Sequence, residues 1–119
     1  MLDFFFKEKL EYDKKLLFWK DETEKEVKEA LDFAIETVEK IKSWDLATIQ
    51  DIFMKKAVEF SLKIKREIGD RGYLLWPLRV ALTGKEASAG PFEIMEILGK
   101  EKTIKRLKEA KEIIERKEN

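Results

Sequence analysis

An all-α fold, a bundle of about six helices, is the fold class that this sequence predicts. Apolar residues recur every three or four positions along most of the chain, which is the spacing of one helix face. Residues that begin and end helices stand between these stretches, and no stretch alternates convincingly as a half-buried strand does. At 119 residues, 44% of them hydrophobic, the chain can form one core and is predicted to be a single domain over residues 1–119.

Two helices are predicted in the first third of the chain. The first extends from about Phe4 to Trp19, where apolar side chains are spaced to pack on one face. Thr23, with Glu26 three residues later, is typical of a capping box and predicts the start of the second helix. Its apolar stripe comprises Val27, Leu31, Ala34, Ile35, Val38 and Ile41.

A third and longer helix is predicted from about Leu46 towards Ile68. Asp45 precedes it and is a favoured N-cap residue, because its carboxylate can accept a hydrogen bond from the first turn. The apolar stripe consists of Leu46, Ile49, Phe53, Ala57, Phe60, Ile64 and Ile68. Gly69 and Gly72 flank two charged residues and are expected to end the helix.

Three shorter helices complete the predicted bundle. Pro77 suits the first turn of a helix that reads PLRVALT, and Gly84 suits its end. Pro91 is expected to open another short helix, which Gly99 ends. The last predicted helix covers about Glu101 to Arg116.

The residue types that are missing restrict the chemistry. The chain has no cysteine and no histidine. These absences rule out disulfides, thiolate metal sites, a Ser-His-Asp triad and the commonest general base. No apolar stretch approaches a membrane span and the first residues are not those of a signal peptide, so a soluble, cytoplasmic protein is expected.

Charge is balanced overall but divides unevenly along the chain. Residues 1–70 carry 14 basic and 17 acidic side chains, a net of −3, and residues 71–119 carry 11 basic and 8 acidic, a net of +3. Any binding of a polyanion is therefore expected to be local to the C-terminal half, since the whole molecule has no net field to attract one.

The most informative stretch lies between Tyr73 and Glu109. It contains WPLRVALTG, a loop, and then PFEIMEILGKE. With the upstream Tyr12-Asp13-x-x-Leu16-Leu17 pattern and the Trp44-Asp45 turn, it resembles the C-terminal anticodon-binding domain of bacterial-type glutamyl-tRNA synthetases, most strongly over 73–109.

The resemblance implies a role and a set of partners. It implies recognition of the tRNA anticodon, with tRNA for glutamate as the partner, beside an upstream synthetase catalytic domain, and no binding to DNA or membranes. The two signature motifs of the catalytic domain are not in this chain, so it is expected to be non-catalytic alone. No cofactor is expected here, and ATP and glutamate would bind the catalytic domain.

The same resemblance singles out Arg79 and a loop as RNA-binding. Arg79 is the arginine of the PLR element, which in the family lies against the anticodon bases, and a guanidinium can donate to bases or phosphates. Ser88, Ala89, Gly90 and Pro91 match the family's base-contacting loop, although Ala89 stands where proline is usual. The alternatives are an arginine paired inside the bundle and an ordinary interhelical loop.

Other residues carry weaker arguments for RNA contact. Thr83, Lys85, Lys100 and Lys102 are further candidates, and for Thr83 a structural role at the helix end is favoured. Lys105 and Arg106 extend a basic set that could meet phosphates, although charge runs are usually solvated faces. For Trp76 and Phe92, packing in the core is favoured over stacking on a base.

A different class of function also fits the sequence. Phe4, Phe5 and Phe6 cannot all face one side of a helix and could form an apolar patch. The alternative hypothesis is therefore a helical protein–protein interaction module that binds no RNA, which the zero net charge favours.

Overall fold

Five α-helices and one short 3-10 helix are formed by residues 8–64, 70–86 and 90–116, which are the residues that this computed structural model describes. They are the 3-10 helix Lys14–Leu17, α1 (Glu24–Lys40), α2 (Leu46–Lys63), α3 (Gly72–Thr83), α4 (Pro91–Leu98) and α5 (Lys100–Ile114). No strand occurs within those described ranges. The all-α class is confirmed, and the predicted number of six helices is slightly too high.

The predicted first helix, Phe4 to Trp19, is wrong over the part that can be described; Phe4, Phe5 and Phe6 lie outside the described residues. Leu10 lies near Gly84 at one end of α3, and Trp19 lies on Gly72 at the other end. Those two glycines are about 18 Å apart along a helix, whereas the segment between Leu10 and Trp19 would span only about 14 Å if helical. An extended path with one 3-10 turn, capped by Asp13, reaches both ends.

The starts of α1 and α2 form as their cap residues predict. Helix α2 ends at Lys63, and its predicted continuation towards Ile68 falls on residues outside the described ranges. The Thr23 hydroxyl accepts from the Glu26 N–H at 3.1 Å, and the Glu26 carboxylate accepts from the Thr23 N–H at 2.9 Å. The Asp45 carboxylate accepts from the Thr48 N–H at 2.9 Å. Both helices therefore start where side chains satisfy backbone donors that have no partner within the helix.

The start of α3 is wrong by five residues, because α3 begins at Gly72 and contains Pro77. Proline in a helix forgoes one backbone hydrogen bond. Tertiary contacts hold the preceding turn: Leu74 is fully buried, and the Tyr73 hydroxyl donates to Asp21 at 2.6 Å. The C-terminal end is confirmed, since Gly84 has φ +71° and its N–H donates to the Val80 carbonyl at 2.7 Å.

Helix α4 agrees with the prediction, with Pro91 at its first position and Gly99 after its last. Helix α5 also lies within two residues of its predicted bounds at each end. Helix α3 sits at the centre of the bundle and packs against α1, α2, α4 and α5. The fully buried apolar side chains of the core include Leu17, Val27, Leu31, Val38, Ile49, Phe53, Phe60, Leu78, Leu82, Met95, Leu107 and Ile114.

The N-terminal segment and the end of α5 are tied to each other. The Lys14 ammonium donates to the Arg116 carbonyl at 2.8 Å and pairs with Glu24 at 3.1 Å. The Arg116 guanidinium lies 3.3 Å from a Glu11 carboxylate oxygen. These contacts hold the segment before α1 against the far end of α5.

Candidate functional site

A hollow of about 370 Å³ lies beside α3 at the start of α4, and we call it the Arg79 pocket. It is lined by Trp19, Gly72, Leu75, Trp76, Arg79, Pro91 and Phe92. Two of the predicted site residues, Arg79 and Pro91, are thus brought together although they are twelve positions apart. The lining combines one cation with aromatic and aliphatic surface.

The indole of Trp76 supplies one wall of the pocket. Its N–H donates to the Leu16 carbonyl at 2.8 Å, and its ring centroid lies 5.3 Å from that of Trp19 with 37° between the planes. The predicted packing role is therefore correct in part. The polar edge of Trp76 is satisfied inside the chain, and apolar ring surface remains in the lining of the pocket.

Trp19 lies directly on the backbone of Gly72. A Cβ atom placed at Gly72 would come within 2.2 Å of Trp19 Cε2 and 2.3 Å of its Nε1. No real side chain tolerates such an approach, so glycine is required at position 72 for the indole to keep this place. Both residues line the pocket, so the contact forms part of its wall.

Asp70 fixes the polar edge of Trp19. The Asp70 carboxylate accepts from the Trp19 indole N–H at 2.9 Å, from the Lys20 ammonium at 2.8 Å and from the Gly72 N–H at 3.2 Å. The hydrogen bond from Lys20, followed by those from Trp19 and Gly72, holds the pKa of Asp70 below its usual value. Lys20 reaches this carboxylate from a backbone with φ +51°.

Arg79 lies half-buried in the pocket lining, on the third turn of α3. Pro91 is buried at the first position of α4, and Phe92 packs against Phe53 with 6.2 Å between ring centroids. Phe92 therefore joins the core, as predicted, while one side contributes to the pocket. A guanidinium beside aromatic rings suits a planar, electron-rich ligand, since it can both donate and stack.

Of the four predicted loop residues, Gly90 and Pro91 lie within the described ranges. Ser88 and Ala89 lie outside the described residues, so their predicted contacts stay predictions. Gly90 precedes α4 with φ −55°, a backbone conformation open to any residue, and does not line the pocket.

Thr83 is 2% exposed, and the structure gives it the structural role that the sequence favoured. Its hydroxyl donates to the Arg79 carbonyl at 2.9 Å and accepts from the Lys85 N–H at 3.1 Å. It thereby shapes the turn at Gly84. Lys85 follows this turn and is half-buried outside the pocket lining.

Lys100 lies at the end of α1 and not in the pocket. Its ammonium donates to the carbonyls of Glu39 at 3.1 Å and Ile41 at 2.6 Å, where it satisfies acceptors at the helix C-terminus. Lys102, half-buried in α5, also lies outside the pocket lining. RNA contact by these two lysines stays a prediction.

Arg106 does not belong to a phosphate-binding face, which corrects the basic set proposed for α5. It is 1% exposed, and its guanidinium donates to the Leu82 carbonyl near the end of α3. Burial lowers its pKa, against the opposing effects of Glu109 and Tyr12. A side chain so enclosed supports the bundle and cannot reach a phosphate.

Trp19, Asp70 and Gly72 were not predicted as site residues. They come from two segments about fifty positions apart, and no motif joins them. The one available signal was the glycine at the end of a charged turn, which was interpreted only as a helix break. Within the described ranges, no three acidic side chains are grouped as a metal site would need, and no helix there is long and apolar enough to cross a membrane.

Comparison with known proteins identifies the family of the chain. Residues 1–111 match the family described as the anticodon binding domain. Glutamate–tRNA ligase 1 of Syntrophomonas wolfei is 34% identical over 113 residues, which are 95% of this chain and 21% of that protein. The Clostridium acetobutylicum glutamate–tRNA ligase is 35% identical over 111 residues, 91% of this chain and 21% of that protein.

A shorter match is closer in sequence. The glutamate–tRNA ligase of Clostridium tetani is 42% identical over 81 residues, 67% of this chain and 15% of that protein. The chain thus spans about a fifth or less of the length of these relatives. The match of one family over almost all of its residues, on an all-helical bundle, shows that the chain belongs to the anticodon-binding domain family.

Proposed function

We propose that this chain recognises the anticodon of tRNA, with tRNA for glutamate as its partner, and that the Arg79 pocket receives an unstacked anticodon base. The observation that carries the proposal is the position of Arg79, in the PLR element, at a pocket that three aromatic side chains also line. Proteins read RNA sequence mainly at single-stranded loops, where bases stack on aromatic side chains and are hydrogen-bonded at their edges.

The chemistry of the pocket divides between its walls and its cation. Trp76 and Phe92 offer flat apolar surface, which binds any base with little discrimination. Arg79 supplies directed N–H donors, which suit the oxygen and ring-nitrogen acceptors of a base edge. Affinity would thus come from stacking, and choice between bases from Arg79.

Replacement of Arg79 by alanine tests the assignment. Binding of an anticodon stem-loop from tRNA for glutamate, followed by fluorescence anisotropy, should weaken by about 1–3 kcal/mol, the value of one bidentate base contact. The loss should shrink when the anticodon is altered, because the contact is then already missing. Lys55→Ala, which removes one equal charge from the exposed face of α2, should leave the affinity nearly unchanged.

The opposite result would identify Arg79 as a structural residue. A clear fall in the free energy of unfolding, with unchanged affinity per folded molecule, would refute the RNA role.

We also propose that ATP and glutamate are bound elsewhere in the ligase and that this chain alone does not activate glutamate. The support is that the matched family is an anticodon-binding domain covering about a fifth of each relative. ATP–pyrophosphate exchange that is lost on mutating a residue of this chain would overturn this.

A further inference from the structure

One wall of the Arg79 pocket comes from outside α3 and α4. Trp19 precedes α1, and three residues hold it in place: Gly72 beneath the ring, Asp70 at the indole N–H, and Lys20 at the other Asp70 oxygen. We call Trp19, Asp70 and Gly72 together the Trp19 clamp. The clamp gives Trp19 a fixed backbone support and a fixed hydrogen-bond partner.

The clamp bears on the pocket through Trp76. The two indoles are in contact, with ring centroids 5.3 Å apart, and the Trp76 indole N–H donates a hydrogen bond to the Leu16 carbonyl. Trp76 is therefore held at its N–H edge and along its side by Trp19. A ring restrained on two sides has lost its rotational freedom before any ligand arrives, so a base stacking on it orders less of the protein.

We propose that the Trp19 clamp positions the Trp76 wall of the Arg79 pocket for stacking by an anticodon base, an inference that rests on the function proposed above. Trp19 and Asp70 are positioning residues in this assignment, and Gly72 is required because any side chain there would displace the indole. Aromatic stacking strengthens binding about 5- to 150-fold per base, so a misplaced wall should cost a measurable part of that.

The test is RNA affinity measured on folded variants. Trp19→Leu should weaken binding of the anticodon stem-loop about 5- to 50-fold, within the range for one stacked base. Trp19→Phe, which retains a flat ring against Trp76 but not the indole N–H, should recover part of the loss. The matched control is Trp44→Leu: Trp44 is also half-buried, and its indole N–H donates to the Met95 carbonyl at 3.0 Å, but it does not line the pocket.

Gly72→Ala separates positioning from general stability. Gly72 is the first residue of α3 and its φ is not in the left-handed region, so the backbone itself should tolerate alanine. The new methyl group must nevertheless expel Trp19, and affinity should fall as in Trp19→Leu. This variant decides the question if Trp19→Leu does not fold.

A double-mutant cycle with Arg79→Ala completes the test. If the clamp and Arg79 act on the same bound base, their effects should not add, and the combined loss should be smaller than the product of the single losses. Suppose that Arg79→Ala weakens binding. Wild-type affinity of Trp19→Leu or Gly72→Ala, or strictly additive effects in the double mutant, would then overturn the clamp alone. If the wild-type chain does not bind the stem-loop, or Arg79→Ala has no effect, the proposed function fails and the clamp with it.

Discussion

At the scale of single residues, charge type is a poor guide to role in this chain. Lys100 and Arg106 stand in a run of basic residues, yet one satisfies the end of α1 and the other is enclosed beneath the end of α3. Both bind backbone carbonyls, which in a helical bundle are as abundant as phosphates are on RNA. Carbonyls at the end of a helix have no acceptor role within the helix, and here they accept hydrogen bonds from both Lys100 and Arg106.

Arg106→Met should destabilise the fold by about 1–3 kcal/mol, because it leaves a buried carbonyl without its donor. The change removes the donor to the Leu82 carbonyl and the positive charge near Glu109, a half-buried residue with one buried carboxylate oxygen. Urea unfolding measures the effect. Lys105→Ala, on the exposed face of the same helix, should stay within about 0.5 kcal/mol. Equal stability of the two variants would contradict the structural role.

Asp70 predicts a pH dependence. Its pKa is lower in the folded chain than when unfolded, because Lys20, Trp19 and Gly72 donate to its charged form. Ionised Asp70 therefore adds stability above the unfolded value of about 3.9. That stability is lost as the pH falls through the lower folded value. The difference in unfolding free energy between wild type and Asp70→Asn should be full near pH 6 and shrink below about pH 4. A difference that stays constant down to pH 3 would show that the charge is not involved.

At the scale of elements, several helix ends with a local side-chain or glycine signal were predictable, and ends set by distant contacts were not. Thr23, Asp45, Gly84 and Pro91 each act within a few residues, so their effect is written locally in the sequence. The start of α3 depends on Tyr73 reaching Asp21, 52 positions away. The extended path of the segment before α1 is likewise set by α3, because the apolar residues of the segment must reach both ends of that helix.

The residues of the candidate site likewise divide into those with a local sequence signal and those brought together by distant contacts. Arg79 and Pro91 were predicted because they stand in a motif with the family's spacing. Trp19 and Asp70 were missed because their role exists only where two remote segments meet at Gly72. A single sequence carries no pairing information of that kind.

Gly84→Ala should cost about 1–2 kcal/mol, because Gly84 has φ +71° and a left-handed backbone is unfavourable with a Cβ. Gly84→Asn should cost less, since asparagine adopts this conformation more readily. Both substitutions place a Cβ 3.2 Å from the Tyr12 ring, so they share that contact and differ in how readily each residue adopts the left-handed backbone. Thermal or urea unfolding gives the comparison, and equal losses would assign the cost to Tyr12 alone.

At the scale of the whole molecule, a net charge of zero sets the expected strength of RNA binding. Only residues 71–119 carry an excess of positive charge, a net of +3 from 11 basic and 8 acidic side chains. Under the proposed function, selectivity for an anticodon would come from short-range contacts in the Arg79 pocket, with little long-range attraction.

The isolated chain should therefore bind tRNA weakly and with little dependence on salt. Neutralising about three phosphates gives a slope near −2 in a plot of log K against log salt concentration. Titrations of intact tRNA between low and physiological salt measure it. Submicromolar binding at physiological salt that is indifferent to the anticodon would contradict the proposed mode.

The contacts that join Lys14 and Glu11 to Arg116 bring the segment before α1 and the end of α5 together in the fold. Positions 105 apart in sequence are neighbours in space, so the order of helices along the chain is almost cyclic. A circular permutant, with a flexible linker from Asn119 to Met1 and new ends between the exposed Lys42 and Ser43, would keep every helix and its partners. Its helical circular dichroism and thermal unfolding should match those of the parent chain, and the Arg79 pocket should be kept because neither Lys42 nor Ser43 lines it.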